Sequence, residues 1–154
     1  MAIRPVTPGD AAEWARLRHA LWPEADPDEL VREVDDYFAG GGRGSSWLLA
    51  EAAFVCEGAG DTLCGLVEAS IRPYVDGCDT DRVGYIEGWY VDPAARRRGV
   101  GGALIAAAEA WARAQGCTEM ASDVLLDNAV SHLAHGRLGY GEVERIVIYR
   151  KPLA

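Results

Sequence analysis

Between Val83 and Gly116 the chain reads as an apolar run of strand length, an Asp92-Pro93 turn, the tract RRRGVGG (Arg96 to Gly102) and then a helical pattern. No other stretch restricts the fold so tightly. Val83 to Val91 has the length and the β-branched, aromatic content of a strand. Val100, Leu104, Ala108 and Trp111 recur on one helical face, and Gly116 stands where a left-handed cap would close the helix. The first turn of a helix carries N–H groups without internal partners and the positive end of the macrodipole, which together hold an anion. Gly99, Gly101 and Gly102 keep side chains away from the amides around Val100. Arg96, Arg97 and Arg98 add positive charge, with Arg96 and Arg98 suited to fork onto phosphate oxygens. The tract therefore predicts a pyrophosphate cradle. Taken alone, it also fits glycines that merely start a tightly packed helix beside solvated arginines. No GKS or GKT follows, which sets aside the nucleoside triphosphate loop. A GxGxxG dinucleotide motif would open a parallel βαβ unit near the N-terminus, where this tract does not lie.

The rest of the chain supplies the surroundings. Ile3 to Val6 suits an opening strand. Thr7, Pro8 and Asp10 read as cap, first helical residue and first-turn carboxylate of a helix reaching about Leu21. Asp26, Pro27 and Glu29 repeat that grammar before Leu30, Val34, Tyr37 and Phe38, and Gly40 to Gly44 ends the second helix in a loop. Trp47 to Val55, Leu63 to Arg72 and Val83 to Val91 predict an antiparallel meander, with Pro73 to Arg82 as a surface loop. Cys117 to Val124 returns to strand, Asn128 to Leu138 is helical, Gly139 stops it, and Glu142 to Arg150 is expected to close as a strand. The fold class is α/β: one domain over 1–154, with a mixed, mostly antiparallel sheet flanked by about four helices.

Composition narrows the partners. A net charge of −9 repels phosphate backbones and attracts polycations, so nucleic acid is excluded and a small basic molecule is favoured. The four cysteines form no CxxC pair, which argues against a metal site and for a reduced, cytoplasmic setting. The longest uncharged run, Gly99 to Ala108, falls far short of the ~18 residues of a membrane span.

VDPAARRRGVGGALI resembles the acetyl-CoA-binding segment of the GCN5-related N-acetyltransferases (GNAT), whose pattern [RQ]xxGx[GA] is met by Arg96, Gly99 and Gly101. The ending in RLGY, Arg137 to Tyr140, is similar too. The resemblance implies acetyl-CoA as cosubstrate and no metal. It also implies a strand whose exposed backbone at Trp89, Tyr90 and Val91 pairs with the pantetheine arm, and Asn128 as a further holder of that arm. Within the superfamily, Leu21-Trp22, Glu68 to Arg72, Glu87 to Val91 and Ala121 to Asn128 resemble aminoglycoside 6′-N-acetyltransferases. That likeness implies an acetyl transfer to the 6′-amine of an aminoglycoside, with Trp22, Tyr74, Glu87, Asp123 and Glu144 as acceptor contacts, and a homodimer. Other readings are a different polyamine, amino sugar or basic peptide amine as acceptor, or an acyl-CoA-binding module without turnover.

Transfer from a thioester to an amine needs a base, an oxyanion donor and a proton for the thiolate. Glu87 and Asp123 are the candidate bases, and an N–H at Tyr90 or Val91 is the candidate donor. Strand alternation sets Glu87 on one face with Tyr85, Trp89 and Val91. Asp127 is expected to cap the following helix and so leave Asp123 for the acceptor site. The family's tyrosine acid falls at His135, a residue able to donate a proton near neutrality.

Overall fold

The computed structural model describes residues 2–42 and 47–153. The expected loop at Gly40 to Gly44 therefore lies partly outside the described residues. The strands are β1 (Ile3–Pro5), β2 (Ala50–Glu57), β3 (Leu63–Arg72), β4 (Val83–Val91) and β5 (Met120–Ser122). The helices are α1 (Ala11–Leu21), α2 (Pro27–Phe38), α3 (Val100–Ala114) and α4 (Ala129–Arg137). The sheet order is β1-β2-β3-β4-β5, antiparallel except for the parallel pair β4·β5. Among the described residues no helix is long and apolar enough to cross a membrane.

Local chemistry sets the helix starts. Asp10 accepts from the Thr7 N–H and hydroxyl at 2.7 and 2.8 Å and from both terminal nitrogens of Arg4 at 2.7 and 2.8 Å, in a single 3-10 turn, Pro8–Asp10, that leads into α1. Asp26 caps α2 by accepting from the Asp28 N–H at 3.0 Å, with Pro27 at the first helical position. The apolar stripes of α1 and α2 bury Trp14, Leu17 and Val34 against Ala53, Val55 and Leu66 on one face of the sheet. The stripe of α3 buries Val100, Leu104, Ile105 and Ala108 against Val67, Ala69 and Ile86 on the other. Each such aliphatic side chain contributes ~1.5–3 kcal/mol on burial.

Two features of β4 shape everything that follows. Its pairing with β3 passes from Ile86 opposite Ala69 to Gly88 opposite Glu68, so Glu87 is the extra residue of a β-bulge. Its pairing with β5 covers only Gly84, Tyr85 and Ile86, so beyond Ile86 the two strands part.

The structure corrects some boundaries. The second strand starts at Ala50, although the Leu49 N–H still bonds the Ile71 carbonyl at 2.8 Å. β5 is shorter than Cys117 to Val124. Glu142 to Arg150 is not a strand: no ladder forms there, and Val143, Ile146, Val147, Ile148 and Tyr149 are all exposed. A strand requires pairing with a neighbouring edge, and this segment pairs with none among the described residues.

Candidate active site

The strand, turn and helix around the glycine-arginine tract form as the sequence predicts. Gly99 caps α3 with φ +82°, and a Cβ there would meet nothing within 4 Å. Arg97 also has positive φ, 60°. Alternating left-handed residues ahead of a helix turn successive amides toward one concavity, which suits an anion. Gly101 has a packing reason to be bare that the sequence did not show: a Cβ there would lie 2.9 Å from Trp89 Cζ2. Gly102 leaves ordinary room, with a Cβ 3.6 Å from Leu138 Cδ2. Arg96 Nε donates to the Val91 carbonyl at 2.9 Å and its guanidinium lies 5.9 Å from the Tyr90 ring, while Arg97 and Arg98 are exposed. Val100 is buried, so its contribution to an anion site is its backbone.

These residues fit acetyl-CoA on two observations. The edge of β4 from Glu87 to Val91, which includes Trp89 and Tyr90, lacks a β5 partner and runs straight into the cradle. Trp89 Nε1 is buried without an acceptor among the described residues, 3.4 Å from where a Gly101 Cβ would sit. Asn128, not Asp127, caps α4: its Oδ1 accepts from the Ser131 N–H at 3.1 Å, leaving only its amide NH2 to hold a pantetheine arm.

The bulge corrects the expected grouping around Glu87. Trp89 and Val91 pack with Val100 and Leu104 on the α3 side, whereas Glu87, Tyr85 and Gly88 face α1. Glu87 is fully engaged there. Its Oε1 accepts from Ser70 Oγ and from Arg72 Nε at 3.0 Å, and its Oε2 accepts from the second Arg72 nitrogen at 2.7 Å. Arg72 in turn lies 3.4 Å from the Tyr85 ring centroid and 5.0 Å from that of Trp47. A carboxylate forked in this way is a fixed anion rather than an idle base. Asp123 accepts the Tyr85 hydroxyl through Oδ1. Burial and that carboxylate push the Tyr85 phenol well above its ordinary range, so it stays protonated.

Trp22 rests on Gly88, its Cη2 2.7 Å from where a Cβ would stand, with the Arg18 guanidinium 5.3 Å from its ring. Behind it Arg18 is buried. Its Nε is 2.8 Å from Glu68 Oε1, close enough for an ion pair but not aligned as a hydrogen bond, and the same carboxylate oxygen accepts from Trp14 Nε1 at 2.7 Å. Tyr74, two-thirds exposed, donates to Asp76 at 2.7 Å. Tyr74, Tyr85, Asp123, His135 and Glu144 line one cleft of about 2040 Å3. Trp22 and Glu87 are not part of that lining but adjoin it through Arg72 and Tyr85.

His135 sits on the α3 and α4 side, edge-on to Trp89 and Tyr140 at 5.5 and 5.6 Å between ring centroids. Sequence reasoning missed Arg72, Ser70, Trp47 and Ser122. Their signal, polar or aromatic residues at the ends of apolar strands, becomes readable only when neighbouring strands are in register.

Residues 11–140 match the model of the Acetyltransferase (GNAT) family. Aminoglycoside N(6′)-acetyltransferase type 1 of Klebsiella aerogenes is 44% identical over 98% of this chain and 96% of that protein. The protein of the same name from Stenotrophomonas maltophilia is 42% identical over 98% and 93%. Among solved structures, the aminoglycoside 6′-N-acetyltransferase AAC(6′)-Ig of Acinetobacter haemolyticus superposes with TM-score 0.86 at 35% identity, covering 100% of both chains. AAC(6′)-Iy, bound to a bisubstrate analog that joins CoA to an acetylneamine, gives 0.87 at 35% identity over 99% and 98%. By the match along its length and by the strand, cradle and helix described above, this chain belongs to the GNAT family of acetyltransferases.

Proposed function

We propose that the protein transfers the acetyl group of acetyl-CoA directly to the 6′-amine of an aminoglycoside, and so confers resistance to that antibiotic. The observation that carries this reading is the course of β4: its open edge leads from an anion cradle at Val100 to an acidic, aromatic-walled pocket at Glu87, Asp123, Trp22 and Tyr85. The names and the CoA-linked ligand of the relatives above support the same substrates.

Each residue has a distinct part. The first amides of α3 and Arg96 to Arg98 hold the diphosphate. The backbone of Trp89, Tyr90 and Val91 aligns the pantetheine arm and offers an N–H to the thioester oxygen, with Asn128 steadying the arm. Glu87 and Asp123 draw in the ammonium groups, while Trp22, Tyr74 and Tyr85 face the sugar rings. Since both oxygens of Glu87 are taken by Arg72 and Ser70, Asp123 and the water it orders receive the proton of the attacking amine. Glu144, which lines the same cleft as Asp123, adds a further carboxylate. The reading assigns the reaction to the cytoplasm, where acetyl-CoA is available.

The assembly is a homodimer in this proposal, because the exposed apolar residues between Val143 and Tyr149 need a partner to leave water. Sedimentation of a monomer at micromolar concentration would contradict that assignment. The reaction itself is tested by following CoA thiol released with kanamycin-type substrates that carry or lack a free 6′-amine. Release only with the former is expected, and equal release with simple polyamines would move the acceptor to another class.

A further inference from the structure

Ser122 and His135 form a polar pair that the roles above leave unused. Ser122 ends β5 and lies in register with Ile86, the last β4 residue before the strands part. His135 Nε2 is 3.0 Å from Ser122 Oγ, and Nδ1 is 2.8 Å from the Ser131 carbonyl oxygen. Ser131 Oγ also lies 3.3 Å from Nδ1, but the shorter contact is to the carbonyl oxygen, which only accepts, so Nδ1 carries a hydrogen whether the ring is neutral or charged. In the neutral ring Nε2 accepts the Ser122 O–H. In the imidazolium Nε2–H donates to Oγ, and the hydroxyl hydrogen turns outward. One proton on His135 therefore decides where Ser122 points.

Resting on the acetyl-transfer reading, we infer that Ser122 is the catalytic acid that protonates the departing sulfur, with His135 as the positioning residue that supplies its proton. Successive residues in extended chain face opposite ways. Asp123 turns to Tyr85 and the acceptor pocket, and Ser122 turns to His135 and the α3 side. Attack from the carboxylate side leaves the sulfur on the side of Ser122. As the C–N bond forms and the C–S bond breaks, the electron pair passes to sulfur. Sulfur takes the Ser122 hydrogen, Oγ takes the Nε2 hydrogen, the amine proton leaves by way of Asp123 to water, and water reloads His135. Around the ring, β4 presents only Trp89 and the chain after α4 presents Tyr140. Tyr140 donates to Glu109 of α3 at 3.1 Å, and burial together with that carboxylate keeps its phenol protonated. On α4 itself His132 lies against the Leu125 carbonyl at 3.2 Å.

Ser122→Ala is expected to lower kcat ~100-fold, the low end of acid–base effects because a thiolate leaves readily. KM for acetyl-CoA and calorimetric CoA affinity should stay within about twofold on the same reasoning. Ser122→Thr restores part of kcat. His135→Gln lowers kcat, and the double variant falls no further than S122A alone, as expected for two residues acting as one unit. Independently of turnover, 15N NMR of the wild-type ring should show the neutral Nδ1–H tautomer, with a hydrogen bond at Nε2 that is lost in S122A. An Nε2–H tautomer, or S122A and H135Q both retaining kcat within about twofold, overturns the inference. Absence of CoA binding or of acetylation in the wild type would instead sink the acetyl-transfer reading itself.

Discussion

Replacing Gly101 by alanine separates packing from ligand access at the start of α3. The added Cβ would stand 2.9 Å from Trp89 Cζ2 and 3.4 Å from Cε2 and Nε1, against ~3.5–4.0 Å for an unstrained carbon contact. Trp89 has little room to retreat, because it packs into the core around Val100 and has His135 at its edge. Overpacking of this kind costs ~1–3 kcal/mol, and alanine regains up to ~1 kcal/mol over glycine in a helix. A mid-range overpacking cost of ~2 kcal/mol less ~1 kcal/mol leaves a net loss of ~1 kcal/mol, a fall in Tm of roughly 2–4 °C for a chain of this size. Melting without CoA isolates this effect from binding. In the same assay Gly102→Ala, with ordinary clearance to Leu138, should melt at or slightly above the wild type. Gly99→Ala should lose ~1–2 kcal/mol through its left-handed backbone alone. Trp89→Phe removes the clashing ring atoms, so the double variant should recover at least ~0.5 kcal/mol of coupling. If Gly101→Ala melts as high as the wild type, or shows no coupling to Trp89→Phe, the packing account is wrong and the glycine belongs to the ligand after all.

Arg72→Lys keeps the charge but loses both the fork on Glu87 and the stacking on Tyr85. Acceptor KM should rise about tenfold, a loss of ~1.4 kcal/mol, with KM for acetyl-CoA unchanged; equal kinetics would remove Arg72 from the acceptor pocket. The Arg4 guanidinium and the Thr7 donors hold the Asp10 carboxyl well below the ordinary 3.8. A depressed carboxyl stabilises the fold above its unfolded value and loses that contribution as pH falls below 3.8. Asp10→Asn should therefore show a flatter loss of stability than the wild type in urea melts between about pH 5 and pH 2. Burial pushes the Cys56 thiol up to about 12, so Cys56 should resist alkylation at pH 8 in the folded protein and react only after unfolding. Fast native labelling, located by mass spectrometry, would contradict its placement.

Local signals made much of the fold legible. Pro8, Pro27, Asp26 and Gly116 stand at helix ends, where their chemistry puts them, and the run from Val83 through the arginines into α3 has the strand, turn and helix expected of it with nearly the same bounds. Two things escaped. Alternation placed Glu87 beside Trp89 and Val91 because a β-bulge leaves no mark in spacing; it follows from how β4 meets β3. Glu142 to Arg150 has strand composition, yet composition does not provide a partner edge. The site residues were individually readable as carboxylates and aromatics. That Arg72 neutralises Glu87 was not, since the two meet only through strand pairing 15 residues apart.

The extra residue in β4 works as a phase shifter. On its C-terminal side the odd-numbered Trp89 and Val91 enter the α3 core, and on its N-terminal side the even-numbered Gly84 and Ile86 do. Removing Glu87 would leave Ile86 opposite Ala69, Gly88 opposite Glu68 and Trp89 opposite Val67, an unbroken alternation that keeps Trp89 in the interior and takes away only the bulged carboxylate. An engineered deletion of Glu87 should therefore leave the α3 core in place and remove only the carboxylate that Arg72 forks.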